Sequence, residues 1–233
     1  MLIPYLLCGI LSSMIEKPNL SQDDIVANYE EFIKFIKDTF TGERQERLLK
    51  MYSPEEMGEE LTVAPASMSE HFHYAFPGGY LLHIMRVIKA SFGAKKLFET
   101  MGAFIDFTDD EMIFAAMHHD LGKLGDKQMG PYYVPQDNDW KMRQGEQYKL
   151  NPNNQYMEVT DRAAYTLQRY GVTYNWKEFL GIKLADGMYK ESAKSYLVGF
   201  KPEMYLKTTL PRVIHVADYI SARGEYDMIQ VKG

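Results

Sequence analysis

Apolar residues recur every three or four positions along most of the chain, which is the spacing that gathers them on one face of an α-helix. The clearest such stretch covers 80–98, directly after a Pro77-Gly78-Gly79 turn. Another opens after Thr108, a residue suited to the N-cap position, and is expected to end near Gly122. Further helices are predicted after Ser21 and over 42–52, 160–170, 175–184 and 211–224. Because strand signals are scarce, the pattern predicts an all-α fold.

One long segment, residues 125–156, does not follow the helical pattern. Prolines at 131, 135 and 152 break regular structure, and aromatic residues alternate there with Lys and Arg. Such a long irregular insertion in a compact domain is often functional, although a surface loop anchored by its aromatics would have the same composition. If the insertion builds part of a binding pocket, we expect Tyr133, Trp140 and Lys141 to contact the substrate.

The first fifteen residues, MLIPYLLCGILSSMI, are apolar. This stretch is shorter than the roughly 20 residues that cross a bilayer, and it lacks the basic start of a signal peptide. We therefore expect a first helix or strand packed on the core, no membrane association and a cytoplasmic protein.

Composition narrows the function without identifying it. Hydrophobic residues make up 45% and charged residues 25% of 233 residues, which is ordinary for a globular protein. The net charge of −6 disfavours an extended nucleic-acid surface, which needs clustered Lys and Arg. It still permits a small phosphorylated substrate, because a bound metal can supply local positive charge. The single cysteine, Cys8, rules out a disulfide within the chain.

Three places carry residues that an ordinary helical core does not favour: His83, the run His118-His119-Asp120, and Asp218. A buried carboxylate is usually paired or bound to metal, so these side chains could satisfy one another around one divalent ion. Nitrogen and oxygen ligands suit Mn, Mg, Fe, Co, Ni or Zn without distinguishing them. Taken singly, His83 could be a core histidine and Asp218 could pair with Arg223. His118 points about 100° away from its neighbour on a helix, so it is not expected to be a ligand.

These residues carry a resemblance to the HD-domain metal-dependent phosphohydrolases. His119-Asp120-Leu121-Gly122-Lys123 resembles the signature doublet of that family, and Pro77-Gly78-Gly79-Tyr80-Leu81-Leu82-His83 resembles the stretch that carries its first histidine. The run 215–223, which contains Asp218, is similar to the element that carries its last aspartate. The resemblance implies an HD-type helical bundle whose metal ligands are His83, His119, Asp120 and Asp218. It also implies hydrolysis of a phosphoester, most often in a nucleotide.

The resemblance covers about 70–223. We therefore divide the chain into an N-terminal helical extension, residues 1–69, packed on an HD domain, residues 70–233, that contains the insertion.

Besides Asp120, three charged residues are expected to take part in the reaction or to bind its substrate. Lys123 could place its ammonium on a phosphate oxygen, or merely offset the dipole at a helix C-terminus. Arg86 lies one turn after His83 and could contact phosphate or pair with an acid. Asp186 could bind substrate hydroxyls. No general base is identifiable, although Glu70 and Asp126 lie close to the expected ligands in sequence.

A single metal ion is expected. Many relatives with the same stretch before the first histidine carry two further histidines that bind a second ion. The matching runs here are Val159-Thr160-Asp161-Arg162-Ala163 and Ile182-Lys183-Leu184-Ala185-Asp186-Gly187, where Val159 and Ala185 replace those histidines and have no donor atom.

Several alternatives remain open at the level of sequence. A 3′-end RNA exonuclease and a metal-binding regulatory module without turnover are both compatible with these residues. A two-iron oxygenase would need additional histidines. The substrate and the oligomeric state are not determined by the sequence.

Overall fold

The computed structural model describes residues 13–16, 20–199 and 201–232, with side chains described up to 229. Most of the apolar segment at the N-terminus, and with it the first helix or strand expected there, therefore lies outside the described residues. None of the described helices combines the length and the apolar character that crossing a membrane requires.

The described residues fold mainly into helices, which confirms the prediction of an all-α fold. The α-helices are α1 (Gln22–Thr39), α2 (Gly42–Met51), α3 (Glu59–Val63), α4 (Gly79–Thr100), α5 (Asp109–His118), α6 (Asp139–Arg143), α7 (Val159–Arg169), α8 (Trp176–Lys183), α9 (Glu191–Leu197) and α10 (Leu210–Lys232). Shorter helical turns lie at Pro54–Gly58, Leu121–Leu124, Gly187–Tyr189 and Pro202–Met204.

Capping residues explain where the predicted helices begin. The Ser21 and Thr108 hydroxyls accept from the backbone N–H groups of Asp24 and Glu111, at 3.2 Å in both cases. The Asn175 side chain accepts in the same way from Glu178 at the start of α8. Each arrangement is a capping box that satisfies N–H groups which a helix leaves unpaired in its first turn.

The last helix is longer than predicted. Gly224 was expected to end it, whereas α10 continues to Lys232. The reason is tertiary packing: Glu225, one residue later, is completely buried, and Ile229 packs against the core. The apolar packing of Ile229 and the contact of the Glu225 carboxylate with His83 offset the cost of about 1 kcal/mol for a glycine within a helix.

The insertion is less irregular than its prolines suggest. It contains strands β1 (Tyr133–Pro135) and β2 (Tyr148–Leu150), which pair antiparallel with Val134 opposite Lys149. Helix α6 lies between them. These regular elements are short, three residues in each strand and five in α6, and irregular backbone separates them.

Helix α4 lies at the centre of the bundle. It packs against both α5 and α10, and α8 in turn contacts α5 and α10. Phe32 of α1 and Leu48 of α2 belong to the same apolar cluster as Ile84 of α4 and Phe114 of α5. The described helices before position 70 therefore pack on the rest of the described chain, while the boundary at 69/70 stays a prediction. The C-terminal end of α5, the second turn of α4 and the middle of α10 meet at one place.

Candidate metal centre

Three helices bring the predicted metal ligands together. His83 projects from the second turn of α4, His119 and Asp120 follow directly after α5, and Asp218 lies in the middle of α10. The chain leaves the α-helical conformation at Asp120, whose φ and ψ are −107° and 9°. This bend places the His119 and Asp120 side chains side by side, although consecutive residues of a regular helix point in different directions.

The distances within the cluster are short. His83 Nε2 lies 3.2 Å from Asp218 Oδ1 and 3.6 Å from Asp120 Oδ2. His119 Nε2 lies 3.5 Å from Asp120 Oδ2 and 3.6 Å from Asp218 Oδ1. For an ion with ligands at about 2.1 Å, neighbouring ligand atoms are separated by roughly 3.0–3.4 Å. The distances between these donor atoms, 3.2–3.6 Å, are therefore close to the distances between neighbouring ligand atoms of one metal ion.

Hydrogen bonding at the other ring nitrogens fixes which atoms face the cluster. His119 Nδ1 donates to the Ala116 carbonyl at 2.7 Å, and His83 Nδ1 donates to the Glu225 carboxylate at 3.0 Å. In the neutral imidazoles Nε2 then carries the lone pair, and both Nε2 atoms are buried without a hydrogen-bond partner. Two lone pairs and two carboxylates that face one another can be satisfied by a metal ion or by protons on the imidazoles. His83, His119 and Asp120 could therefore hold a metal ion, and the contacts of Asp218 place it in the same shell.

The neighbouring carboxylates raise the pKa values of both imidazoles. Burial lowers the pKa of His83, but the carboxylates of Glu225 and Asp218 outweigh it and raise the pKa to about 10. Burial likewise lowers the pKa of His119, and Asp120 and Asp218 raise it above its ordinary value. In the absence of a metal, the carboxylates thus draw protons onto the imidazoles. A divalent cation would replace those protons.

Lys123 lies beside the cluster, as predicted. Its Nζ is 2.5 Å from Asp120 Oδ2 and donates to the Ala66 carbonyl at 2.9 Å. Burial raises the pKa of Asp120, but the Lys123 ammonium and the two imidazoles lower it by a larger amount. The net pKa lies below its ordinary value, so the carboxyl group stays ionised. The turn that carries Lys123 packs closely on α7: a Cβ at Gly122 would lie 2.1 Å from the Val159 carbonyl oxygen.

Arg86, which was expected to contact phosphate or to pair with an acid, contacts two acids. Its Nη1 is 2.6 Å from Glu16 Oε1 and its Nε is 3.5 Å from Glu225 Oε1. The guanidinium therefore pairs with acids, which is the second of the two roles considered for it, and does not reach the cluster of His83, His119 and the aspartates. The shared face with His83 was inferred correctly, but that face is covered by α10 and by the segment that carries Glu16.

A cavity of about 490 Å³ opens beside Asp218. Asp186 lines this cavity. Burial and the nearby Asp120 charge raise the pKa of Asp186. The aromatic and basic side chains that line the cavity are Phe72, Tyr189, Tyr219, Tyr226, Arg223, His71, His73 and His215. The volume falls within the range of about 300–1,000 Å³ that is typical of small-molecule sites.

Sequence reasoning missed the histidines of this cavity. The His73 ring lies 4.6 Å from the His83 ring, and His73, His83 and Glu225 form a second grouping of possible ligand atoms within 4.8 Å of one another. His215 Nδ1 donates to the Ala185 carbonyl. The sequence carried one signal for them: two histidines in the run Glu70-His71-Phe72-His73, shortly before the first predicted ligand.

The structure separates the three substrate residues predicted in the insertion. Tyr133 is close enough to Lys123 and Asp120 for their charges to affect it, and burial raises its pKa to about 12. Trp140 is 66% exposed, and Lys141 pairs with Glu146 at 3.4 Å. None of the three residues lines the cavity beside Asp218.

Backbone hydrogen bonds join the insertion to the segment 68–73, part of which lines the cavity. The N–H groups of Gln147 and Tyr148 donate to the Met68 carbonyl at 2.9 and 3.0 Å, and Glu70 N–H donates to the Gly145 carbonyl at 3.0 Å. His71 Nε2 also lies 3.0 Å from the Gln144 carbonyl oxygen. The insertion therefore supports a wall of the cavity from outside.

The candidates for a general base have structural partners. Asp126 pairs with Arg169 at 3.1 Å and accepts from the Gln128 N–H. Glu70 accepts from Gln147 Nε2 at 3.2 Å. His118 donates to the Phe114 carbonyl at 2.7 Å, and burial lowers its pKa to about 3, so it remains neutral.

The cluster thus consists of two imidazoles, two carboxylates and one lysine, all drawn from helices or the turns that follow them, with a cavity of substrate size beside it. Its donor atoms match a divalent cation. Comparisons of the chain with protein-family models, with curated proteins and with solved structures found no match.

Proposed function

We propose that this chain is a metal-dependent phosphohydrolase of the HD-domain kind, acting in the cytoplasm on a small phosphorylated substrate, a nucleotide. The observation that carries the proposal is the buried cluster of two imidazole Nε2 atoms and two carboxylates, whose spacing and donor types suit a divalent cation. His83, His119, Asp120 and Asp218 would hold the ion. When bound, the metal would polarise a phosphoryl oxygen and make a nearby water molecule more acidic.

Lys123 supplies the second positive charge of the proposed site. Its ammonium is anchored between Asp120 and the Ala66 carbonyl, and its side chain is only 14% exposed. A cation that is fixed before the substrate arrives stabilises charge on a phosphate oxygen without reorganising in the transition state. Lys123 is therefore proposed to orient the phosphate next to the ion.

The cavity supports a nucleotide as the substrate class. Its aromatic side chains, Phe72 and Tyr219 among them, offer faces on which a base can stack. Asp186 offers a carboxylate to sugar hydroxyls, and Arg223 offers a cation to a phosphate. A nucleotide bound in this way would have its base in the cavity and its phosphate next to Asp218.

A single ion per chain is proposed. The positions that would carry the histidines of a second ion hold Val159 and Ala185, which have no donor atom. Metal analysis of protein purified without a chelator is expected to give about one equivalent, and anomalous diffraction at the metal edge is expected to give one peak. Two well-occupied peaks about 3.5–4 Å apart would contradict this expectation and would bring His73 or Asp186 into the ligand set.

One assay decides between the candidate functions. Hydrolysis is measured by separating the products, both inorganic phosphates and released nucleosides or nucleotides, from nucleoside mono-, di- and triphosphates, cyclic nucleotides and a short RNA, each with Mn, Mg, Fe, Co, Ni and Zn. Turnover of a nucleotide that requires metal supports the proposal. Cleavage of the RNA with a steep dependence on salt indicates an exonuclease that grips several phosphates. Metal binding without turnover of any substrate indicates a regulatory module.

Removal of one aromatic side chain from the cavity tests where the base binds. Phe72→Ala is expected to raise KM for a nucleotide with little change in kcat, because stacking on a base contributes about 1–3 kcal/mol. Phe72 is 59% exposed and lines the cavity, whereas Phe104 is 82% exposed and does not. Phe104→Ala is therefore the matched control and should leave KM unchanged. Equal KM values for both variants would argue against base binding at Phe72.

A further inference from the structure

One fully buried acid close to the metal centre is not among the proposed ligands. Glu225 lies on α10 seven residues after Asp218, which is two helical turns, so both side chains are on the same face. Its two carboxylate oxygens lie 3.1 and 3.0 Å from His83 Nδ1. The carboxylate therefore contacts the ring nitrogen opposite to the one that faces Asp120 and Asp218.

Glu225 is linked in turn to the surface through Arg86. The Arg86 Nε lies 3.5 Å from Glu225 Oε1, and its Nη1 lies 2.6 Å from Glu16 Oε1. The Tyr74 hydroxyl also donates to the Glu16 carboxylate. Glu16, Arg86, Glu225 and His83 thus form a row of alternating negative and positive or proton-donating groups.

The outer end of this row is held in place by the N-terminal segment. The Ile15 N–H donates to Asn28 Oδ1 at 2.8 Å, and Asn28 Nδ2 donates back to the Ile15 carbonyl at 3.0 Å. Met14 is buried in the core. These contacts attach the segment 13–16 to α1, so Glu16 has a defined position relative to Arg86.

The arrangement has a consequence for metal binding. A carboxylate that accepts the Nδ1 proton of a metal-binding histidine fixes the tautomer and the ring orientation, and it makes the opposite nitrogen a stronger donor. Arg86 shares the negative charge of Glu225, and Glu16 in turn offsets the charge of Arg86. The strength with which Glu225 acts on His83 therefore depends on both.

We propose that Glu225 is a positioning residue for the metal ligand His83, and that Glu16 and Arg86 adjust its effect, so that the N-terminal segment influences metal affinity. The inference rests on the proposed function in one respect, the binding of a metal at His83 Nε2. It does not depend on which substrate is hydrolysed.

The experiment measures metal affinity, not activity. Chelator-treated protein is titrated with Mn²⁺ by calorimetry, and with Co²⁺ while the visible spectrum of the ion is recorded. Glu225→Gln is expected to weaken binding by about 10–100-fold and to change the Co²⁺ spectrum, because the ring of His83 loses its charged partner. Glu16→Gln is expected to weaken binding by a smaller factor, about two- to fivefold, because its charge acts only through Arg86.

Glu178 provides a matched control. It is also completely buried, and it also pairs with an arginine, with Arg44 Nη1 2.6 Å from Glu178 Oε1. Glu178→Gln is expected to lower the melting temperature without changing the Mn²⁺ affinity or the Co²⁺ spectrum. A purely structural role for Glu225 would give the same result as this control and would overturn the inference.

The remaining outcomes are also decisive. If Glu225→Gln does not fold, the Mn²⁺ affinities of Glu16→Gln and Arg86→Met test the inference instead. Both of these variants keep the contact between His83 and Glu225. Mn²⁺ affinities equal to that of the wild type in both variants would overturn the inference. If the wild-type chain binds no divalent metal, the proposed function fails as well. If Glu225→Gln abolishes binding while Asp120→Ala does not, the ion lies with His73, His83 and Glu225, and Glu225 is a ligand instead of a positioning residue.

Discussion

Asp120→Ala is expected to abolish metal-dependent hydrolysis. The substitution removes the carboxylate that lies within 3.6 Å of both imidazole Nε2 atoms, and it leaves the Lys123 ammonium without its partner at 2.5 Å. The unpaired ammonium then repels any cation that enters the cluster. We expect kcat/KM to fall by at least about a thousandfold, which corresponds to roughly 4 kcal/mol of transition-state stabilisation. Phosphate release and bound metal are measured on the same preparation.

Asp106→Asn provides the control for this substitution. Asp106 accepts from the Thr208 hydroxyl and the Thr209 N–H, each at 3.0 Å, and it lies outside the cluster. The control variant should keep its metal and its activity. Circular dichroism should show that Asp120→Ala retains the helical fold. Wild-type turnover and metal content in Asp120→Ala would refute the assignment of the site.

Gly122→Ala is expected to damage both stability and metal binding. A Cβ at this position would lie 2.1 Å from the Val159 carbonyl oxygen and 2.8 Å from its carbonyl carbon. Because these are backbone atoms, the turn and α7 must move apart. Overpacking of this kind costs about 1–3 kcal/mol or more, and for a chain of this size each kcal/mol lowers the melting temperature by about 2–4 °C. Asp120 lies two residues earlier, so its displacement should also weaken Mn²⁺ binding.

Gly93→Ala separates this effect from the general effect of replacing a glycine. Gly93 lies within α4, and an added Cβ there would meet nothing within 4 Å. Alanine is favoured over glycine in a helix by about 1 kcal/mol, so this variant should be as stable as the wild type or more stable. Equal melting temperatures for Gly122→Ala and Gly93→Ala would show that the turn does not require a close approach to α7.

The sequence predicted the helices best where local chemistry decides. Ser21, Thr108 and Asn175 begin helices because their side chains satisfy N–H groups within the next turn, an interaction between residues three positions apart. The resemblance to a known family then indicated which four side chains should meet. The structure places those four together, since α4, α5 and α10 pack at one point.

Long-range packing decided the features that the sequence did not reveal. Gly224 marked a helix end by local preference, so Glu225 was left outside the predicted helix and its contact with His83 was missed. Arg86 was correctly placed on the face of His83, but its two acids come from residues 70 and 139 positions away. His73 was missed because its ring contact with His83 is a contact in space, which leaves no periodic pattern in the sequence.

The backbone hydrogen bonds between the insertion and the segment 68–70 make the two parts one cooperative unit. An opening that exposes the Gln147 and Tyr148 amides to solvent must also release the Met68 carbonyl, and with it the adjoining wall of the cavity. Local unfolding in proteins follows such shared units and not single residues. A ligand that occupies the cavity would therefore slow hydrogen exchange at amides of the insertion that it never touches.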